Sequence, residues 1–504
     1  MAKKIVCFET LGCRLNQSES EGAARFFREA GFTCCFSAMA DDFQNVDDVV
    51  LCILNTCAVT AKAEKKSLSK LRTLARKFPQ SPILLTGCVS DLKNKVTLPI
   101  VKRTVMLPGV KKGLLKEIAF QMRDAKLSSI DGSLDIASLR AFVQQNTASC
   151  PTDLAAVFST ETAKDNVPPS ITNTADPSPL YQAVADDHFS LYTAHFQHTS
   201  RASLKIQDGC DRCCTFCAIR LARGKSICLS PDEALRRMRQ IEDAGYAEVV
   251  LTGVNLSLYQ GKHEGSLFHL GELLEFLVCN TDKIKFRLSS LYPEQITDEF
   301  CRVLQNPRVQ PFFHLSVQSL CDSVLEAMGR NYRKQDVIDA VRRLRQCKDN
   351  PFISCDIITG FPKEDVCAFR ETQQTCQELS FAWIHAFPFS PRAGTTASLL
   401  PCTAALNNRE ARVRCLWQIG CAGKVSYIRS CEGRIFDAVV EKPVTGEAGG
   451  KNVWRAVTDN YLHVLFHCDR ELNQGSVVRL KITSPLEKSI IDGREEECQA
   501  QLVD

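Results

Sequence analysis

Three thiols fall within eight residues at Cys210, Cys214 and Cys217, in the run Gly209-Cys-Asp-Arg-Cys-Cys-Thr-Phe-Cys217. Thiolates are soft ligands for iron and zinc. A cubane 4Fe–4S cluster has four irons, so a C-x3-C-x2-C set leaves one of them without a protein ligand. An open metal position is where a small molecule coordinates, as catalytic zinc sites differ from closed structural ones. Zinc wants a fourth Cys or His nearby, and the next candidates, Cys213 and Cys228, complete no familiar zinc spacing. Cys213 adjoins Cys214, and the choice between them rests on spacing. The bland alternative is three incidental cysteines in a Cys-rich chain.

Those residues resemble the signature of the radical S-adenosylmethionine enzymes, C-x3-C-x2-C with an aromatic, Phe216, before the last Cys. The resemblance implies that the open iron chelates the amino and carboxylate groups of S-adenosylmethionine, whose sulfonium is cleaved to a 5′-deoxyadenosyl radical. The fuller stretch, Gln207-Asp208-Gly209-Cys210 through Thr215-Phe216-Cys217 to Ala222-Arg223-Gly224, is similar to the methylthiotransferase branch.

The N-terminal part points the same way. Thr10-Leu11-Gly12-Cys13-Arg14-Leu15-Asn16 follows the apolar run Ile5–Phe8, Asn55-Thr56-Cys57 follows Val49–Ile53, and Thr86-Gly87-Cys88 follows Ile83–Leu85. Each Cys sits just past the C-terminal end of a buried strand, where open parallel sheets place their ligands. Cys13, Cys57 and Cys88 could converge on one edge and bind a second three-Cys cluster. Singly, each reads better as a buried structural cysteine; with these flanks, the cluster reading prevails.

The resemblance implies insertion of sulfur at an unactivated carbon followed by methylation, with two 4Fe–4S clusters and S-adenosyl-L-methionine as cofactors. It also implies three partners: a tRNA anticodon stem-loop, a low-potential electron donor of flavodoxin or ferredoxin type, and a sulfur donor. Beside the six cysteines it marks Phe216, Thr252 and Gly253, Gln318, Gly360 and Phe361, and Arg392 as cofactor-binding, all but Phe216 at expected strand ends where a structural turn is the competing reading. Leu251-Thr252-Gly253-Val254-Asn255-Leu256-x-x-Tyr259 resembles the branch acting on threonylcarbamoyladenosine next to the anticodon. The alternatives are isopentenyladenosine in tRNA, a ribosomal-protein aspartate, or a non-catalytic RNA-binding iron–sulfur protein. Where many relatives continue Arg-Gly with two further arginines, this chain has Arg223-Gly224-Lys225-Ser226-Ile227-Cys228, and Lys225 or Arg220 is the candidate replacement.

These motifs need elements to carry them. The sequence is expected to be α/β, with an N-terminal open sheet over residues 1–124 and a largely disordered Ser/Thr/Asp/Pro linker over 125–199. A radical-SAM core over 200–424 follows, as a partial (β/α)6 barrel with chemistry at the strands' C-terminal ends. A small RNA-binding β-barrel resembling the TRAM domain covers 425–486, leaving a tail at 487–504. Lys62, Lys65, Lys66, Lys70, Arg72, Arg76 and Lys77 make a basic run, most often a solvated helix face but able to guide an RNA backbone. There are 26 Cys in 504 residues, with Met-Ala-Lys-Lys leading straight into a strand and no apolar stretch long enough to cross a bilayer. A reducing cytoplasm and a monomer are the expectation. The net charge of +4 is too small to diagnose nucleic-acid binding.

Overall fold

The computed structural model describes residues 4–36, 46–92, 102–128, 133–147, 188–197, 199–401, 404–444 and 452–503. Its first unit is a five-stranded sheet of Ile5–Thr10, Thr33–Phe36, Val49–Thr56, Ile83–Gly87 and Thr104–Met106. All pairings are parallel, in the spatial order second, first, third, fourth, fifth. Val6, Phe8, Leu51, Ile53 and Leu84 pack under the helices Arg14–Glu29 and Leu114–Arg123. Cys7, Cys52, Leu54, Ile83 and Leu85 pack under Leu71 and Leu74 of the helix Ala61–Lys77. Cover on both faces is why these strands read as unbroken apolar runs. The strand order reverses between the first and third strands, and a topological switch of this kind is where open α/β sheets hold ligands. Cys13 and Cys57 follow those two strands.

The expected partial barrel is present. Its six parallel strands are Ala202–Lys205, Glu248–Thr252, Lys285–Leu288, Phe312–Gln318, Phe352–Thr359 and Trp383–Pro388. They form two three-stranded ladders joined by the parallel bridges Phe286–Val309 and Leu291–Leu315. At the C-terminus five strands, Ile435–Pro443, Val453–Thr458, His463–His467, Val477–Pro485 and Cys498–Val503, close into a small barrel.

Three sequence boundaries move. The expected tail supplies the closing strand: Cys498–Val503 pairs with both His463–His467 and Val477–Pro485, and Cys498, Ala500 and Leu502 alternate into the core. The expected break at 424 lies inside one helix, Ala404–Cys431, which gives Leu416 to the central core and Tyr427, Ile428 and Cys431 to the C-terminal one. The expected disordered linker is ordered at both ends. Asp135 caps a helix, Ile136–Thr147, by accepting from the Ser138 N–H at 2.9 Å, and Leu139 and Val143 bury against the N-terminal sheet. Phe189, Leu191 and Tyr192 are buried too, and a Cβ at Gly22 would lie 2.4 Å from the Leu191 carbonyl oxygen. The middle of the linker, 148–187, lies outside the described residues.

The N-terminal unit is fastened to the barrel by buried charge. Glu19 meets Lys112, Lys205 (2.8 Å) and Arg223 (3.2 Å), while Asp208 meets Lys205 (2.6 Å), Arg223 (2.9 Å) and His188 (3.1 Å). Burial opposes the charge on both carboxylates, but the surrounding cations outweigh it and hold both well below the usual range. Their contribution is therefore complete above about pH 4 and is lost as pH falls through the lowered values. Removing Glu19 would leave Lys112, Lys205 and Arg223 short of a counter-charge in a dry interface. Glu19→Ala is expected to cost roughly 3–5 kcal/mol in chemical denaturation at pH 7; a loss below about 1 kcal/mol, the worth of a surface pair, would show that the network does not fasten the two units.

Candidate active site

Cys13, Cys57 and Cys88 stand on a floor of polar side chains that the apolar strands deliver to one edge. The Asn16 amide donates to the carbonyls of Leu11 (2.8 Å) and Thr56 (3.0 Å), and the Asn55 amide donates to the Asn16 carbonyl (3.0 Å) and to Ser20 Oγ (3.1 Å). Ser67 Oγ donates to the Cys57 carbonyl at 3.0 Å, and Thr56 Oγ donates to the Thr86 carbonyl at 2.6 Å. Gly12 has φ +108°, and a Cβ there would lie 2.7 Å from Cys57 Cβ, so glycine is what lets the first loop reach the second. Burial pushes the Cys57 thiol up to about 11, with Cys88 and Cys13 near enough to add to the shift.

The Cys210–Cys217 loop is clamped from three sides. Gln207 donates to the Gly209 carbonyl (2.8 Å) and accepts from the Asn255 N–H (2.8 Å), while Asn255 Nδ2 donates to Cys210 Sγ at 3.9 Å. The Thr215 N–H donates to the Met328 carbonyl (3.0 Å), and the Thr215 carbonyl accepts from the Ala397 N–H (2.8 Å). Phe216 packs edge-on to the fully buried Phe361, 6.5 Å between ring centres, and Phe361 in turn meets Phe389. Burial pushes the Cys217 thiol up to about 11 and raises Cys210. The Cys210 and Cys217 thiols therefore keep their protons at pH 7 unless a metal displaces them.

Arg330 lies beside this loop. Its guanidinium is boxed by Tyr292, Phe216 and Tyr332 at 4.9, 5.4 and 5.7 Å. Burial opposes its charge, but its neighbours, Tyr332 first, tip it upward, and a guanidinium is cationic at pH 7 in any case. Among the described residues its Nε and Nη1 have no hydrogen-bond partner. A buried cation without a counter-charge, next to three thiols, fits an anionic group seated between them.

One cavity of about 1300 Å³ lies against the first of these cysteine sets. Cys13, Cys57 and Cys88 open onto it from the N-terminal sheet, and Ile219 and Arg223, on the helix after the Cys210–Cys217 loop, line it as well. From the barrel come Thr252 and Gly253, as the sequence led one to expect, and Ser289, His314, Asp356, His385 and Phe387, which it did not. His314 Nε2 lies 3.0 Å from Asp356 Oδ2, and burial pushes His385 down to about 4, so it is neutral at pH 7. The other expected residues lie elsewhere. Arg392 is taken by Glu64 at 2.6 Å and ties the basic helix to the barrel rim. Phe361 packs on Phe216, Gly360 donates to Glu364 at 2.6 Å, and Gln318 ends its strand at φ +65° outside the cavity lining. Arg220 donates to Cys213 Sγ at 2.8 Å, and the Lys225 carbonyl packs against Gly209.

Among the described residues no three His, Cys, Asp or Glu side chains surround one point as a single metal ion needs. Two sets of three soft sulfurs, with no imidazole or carboxylate among them, suit iron–sulfur clusters with an open iron. The Radical SAM superfamily matches residues 204–376, and the Uncharacterized protein family UPF0004 matches residues 5–107. A Treponema pallidum (strain Nichols) protein named threonylcarbamoyladenosine tRNA methylthiotransferase MtaB is 37% identical over 489 residues, covering 95% of this chain and 98% of that one. The chain belongs to the radical-SAM methylthiotransferases. A Bartonella tribocorum (strain CIP 105476 / IBS 506) protein named tRNA-2-methylthio-N(6)-dimethylallyladenosine synthase is 25% identical over 506 residues, covering 97% and 96% of the two chains. The fold is similar to that of the radical S-adenosylmethionine methyltransferase TsrM from Kitasatospora setae, at TM-score 0.51 and 12% identity over 79% of this chain and 74% of that one.

S-adenosylmethionine and 4Fe–4S chemistry therefore belong to this methylthiotransferase. Gly209 offers a direct check on its Cys210–Cys217 loop. It has φ +69°, and a Cβ there would lie 1.9 Å from the Lys225 carbonyl oxygen. Gly209→Ala is expected to lower the iron content of anaerobically reconstituted protein by about four per chain while far-UV circular dichroism stays unchanged. Unaltered iron would mean that this loop holds no cluster.

Proposed function

We propose that this methylthiotransferase adds a methylthio group at C2 of N6-threonylcarbamoyladenosine beside the tRNA anticodon. One 4Fe–4S cluster would sit on Cys210, Cys214 and Cys217, and a second on Cys13, Cys57 and Cys88. The observation that carries this reading is one cavity of about 1300 Å³ onto which the second cysteine set opens while Ile219 and Arg223 approach it from the first. That volume exceeds an ordinary small-molecule site, as a flipped nucleoside together with a cofactor requires. The name of the relative with 37% identity supports the substrate.

The chemistry those groups supply when bound is homolytic activation of an unreactive C–H bond, followed by sulfur and a methyl group. The chain's own residues do the positioning. Arg330 supplies a buried positive charge at Cys214, held in place by three aromatic rings. Gln207 and Asn255 couple the Cys210 loop to the end of the strand Glu248–Thr252, so loop and cavity wall move as one body. Phe387, at 42% exposure in the cavity and nearly parallel to His385, offers a face on which a base can stack. The C-terminal barrel would act as a TRAM-like hold on tRNA, with the basic helix Ala61–Lys77 beside the rim steering the backbone. A flavodoxin- or ferredoxin-type donor, a separate sulfur donor, a monomeric state and a cytoplasmic location complete the reading; no helix among the described residues is long and apolar enough to cross a membrane.

Two measurements test it. Nucleosides of tRNA from a deletion strain should lack the methylthio form of threonylcarbamoyladenosine and regain it with the wild-type gene; loss of the isopentenyladenosine derivative instead would overturn the substrate. Reconstituted protein should carry about eight irons, and about four after Cys210, Cys214 and Cys217 are all changed to Ala. A fall to none would remove the second cluster.

A further inference from the structure

At the inner end of the cavity, where the barrel strands begin, three guanidiniums surround one tyrosine. Arg287, Arg201 and Arg14 place their guanidinium carbons 5.0, 5.2 and 6.0 Å from the Tyr461 ring centre. All four side chains line the cavity. Tyr461 comes from the turn between Val453–Thr458 and His463–His467 and has φ +71°, a left-handed backbone that bulky residues rarely adopt. Strain of this kind collects at functional sites.

The guanidiniums there are only partly hydrogen-bonded. Glu248 is the one carboxylate bound closely to the three, accepting from Arg287 Nε and Nη2 at 2.7 Å each. Arg201 stands 3.9 Å from Glu248 and 3.6 Å from Glu441, both beyond hydrogen-bonding distance, and Glu441 accepts at 2.7 Å from Arg455, which also meets Glu495 and Glu496. Arg14 donates to the Tyr461 hydroxyl at 2.9 Å. Arg287 is 1% and Arg201 6% exposed, yet among the described residues Nη1 of each has no hydrogen-bond partner. Two buried guanidinium nitrogens beside a cavity thus lack an acceptor to offset their desolvation, and an anion is the partner that offsets it most.

We propose that Arg14, Arg201 and Arg287 form a carboxylate subsite that takes the threonyl carboxylate of the substrate's N6 substituent. The proposal rests on the substrate reading above. In adenine, C2 and C6 flank N1, so their substituents diverge. A base with C2 toward Cys13, Cys57 and Cys88 would extend its N6 arm away from them, to the guanidiniums. An isopentenyl arm carries no charge and would leave those nitrogens unpaired, so the subsite rejects it.

An RNA phosphate is the other anion that could reach them, and binding measurements separate the two. Anaerobically reconstituted full-length protein is titrated with three anticodon stem-loops differing only at the target base: threonylcarbamoyladenosine, its methyl ester, and unmodified adenosine. Wild type is expected to bind the first about 10- to 100-fold more tightly than the other two, the range of charge-assisted hydrogen bonds. Arg201→Gln, chosen because no hydrogen bond of the described fold uses its Nη1, should erase most of that preference and leave the adenosine loop bound as before. Equal weakening on all three loops would assign Arg201 to a phosphate and overturn the subsite, as would an unchanged preference or none in wild type. Methylthiolated threonylcarbamoyladenosine in cells, together with a preference indifferent to Arg201, would sink the subsite and leave the substrate reading standing.

Discussion

Glu19 is the residue on which the arrangement of the molecule turns. A carboxylate that is 3% exposed is costly to bury, and it is tolerated here because Lys112, Lys205 and Arg223 converge on it from two folding units. Hydrophobic contact between the units would permit sliding, whereas ion pairs made away from water hold only at one relative orientation. Arg223 shows why that orientation matters. It follows the Cys210–Cys217 loop, donates to Asn16 at 2.7 Å behind Cys13, and lines the cavity. A single guanidinium and its two carboxylates thus tie the helix that follows the second set of thiols to the helix that follows Cys13.

The barrel makes that space by leaving its own interior unfilled. A closed eight-stranded barrel packs its lumen with branched apolar side chains. In this six-stranded one, the inner positions carry Ser289, His314, Asp356 and His385, and the two outer strands do not meet. Apolar residues such as Phe313, Leu315, Ile353 and Cys355 supply the structural core. The C-terminal barrel then closes the inner end with Tyr461. It is part of the wall of the site as well as a separate body, which explains why the helix Ala404–Cys431 shares its core contacts between the two.

Several scattered cysteines belong to this packing and not to chemistry. Cys355 and Cys376 touch within the barrel core, where burial raises Cys355 strongly, and Cys498 is fully buried in the closing strand. Chains rich in free thiols use most of them as small hydrophobes. What sets Cys13, Cys57 and Cys88 apart is position at strand ends above buried amides, and what sets Cys210, Cys214 and Cys217 apart is spacing.

Spacing and strand ends are local properties, so the α/β class and the radical-SAM methylthiotransferase family were legible in the sequence alone, and the six cysteines stood out there as candidates. The barrel strands were legible too, as apolar runs separated by helices. His314, Asp356 and His385 also left a trace, as polar residues at alternate positions in strands that otherwise read as core, a sign of a strand facing a wet lumen. The helix Ile136–Thr147 and the strand Cys498–Val503 escaped because each offers only two or three inward apolar residues amid polar neighbours. Arg14, Arg201, Arg287 and Arg330 could not be read from sequence at all. A guanidinium's neighbours come from strands and turns hundreds of residues apart, as Arg14 and Tyr461 do, and whether it ends up paired or waiting for an anion is decided only when the tertiary fold removes water from around it.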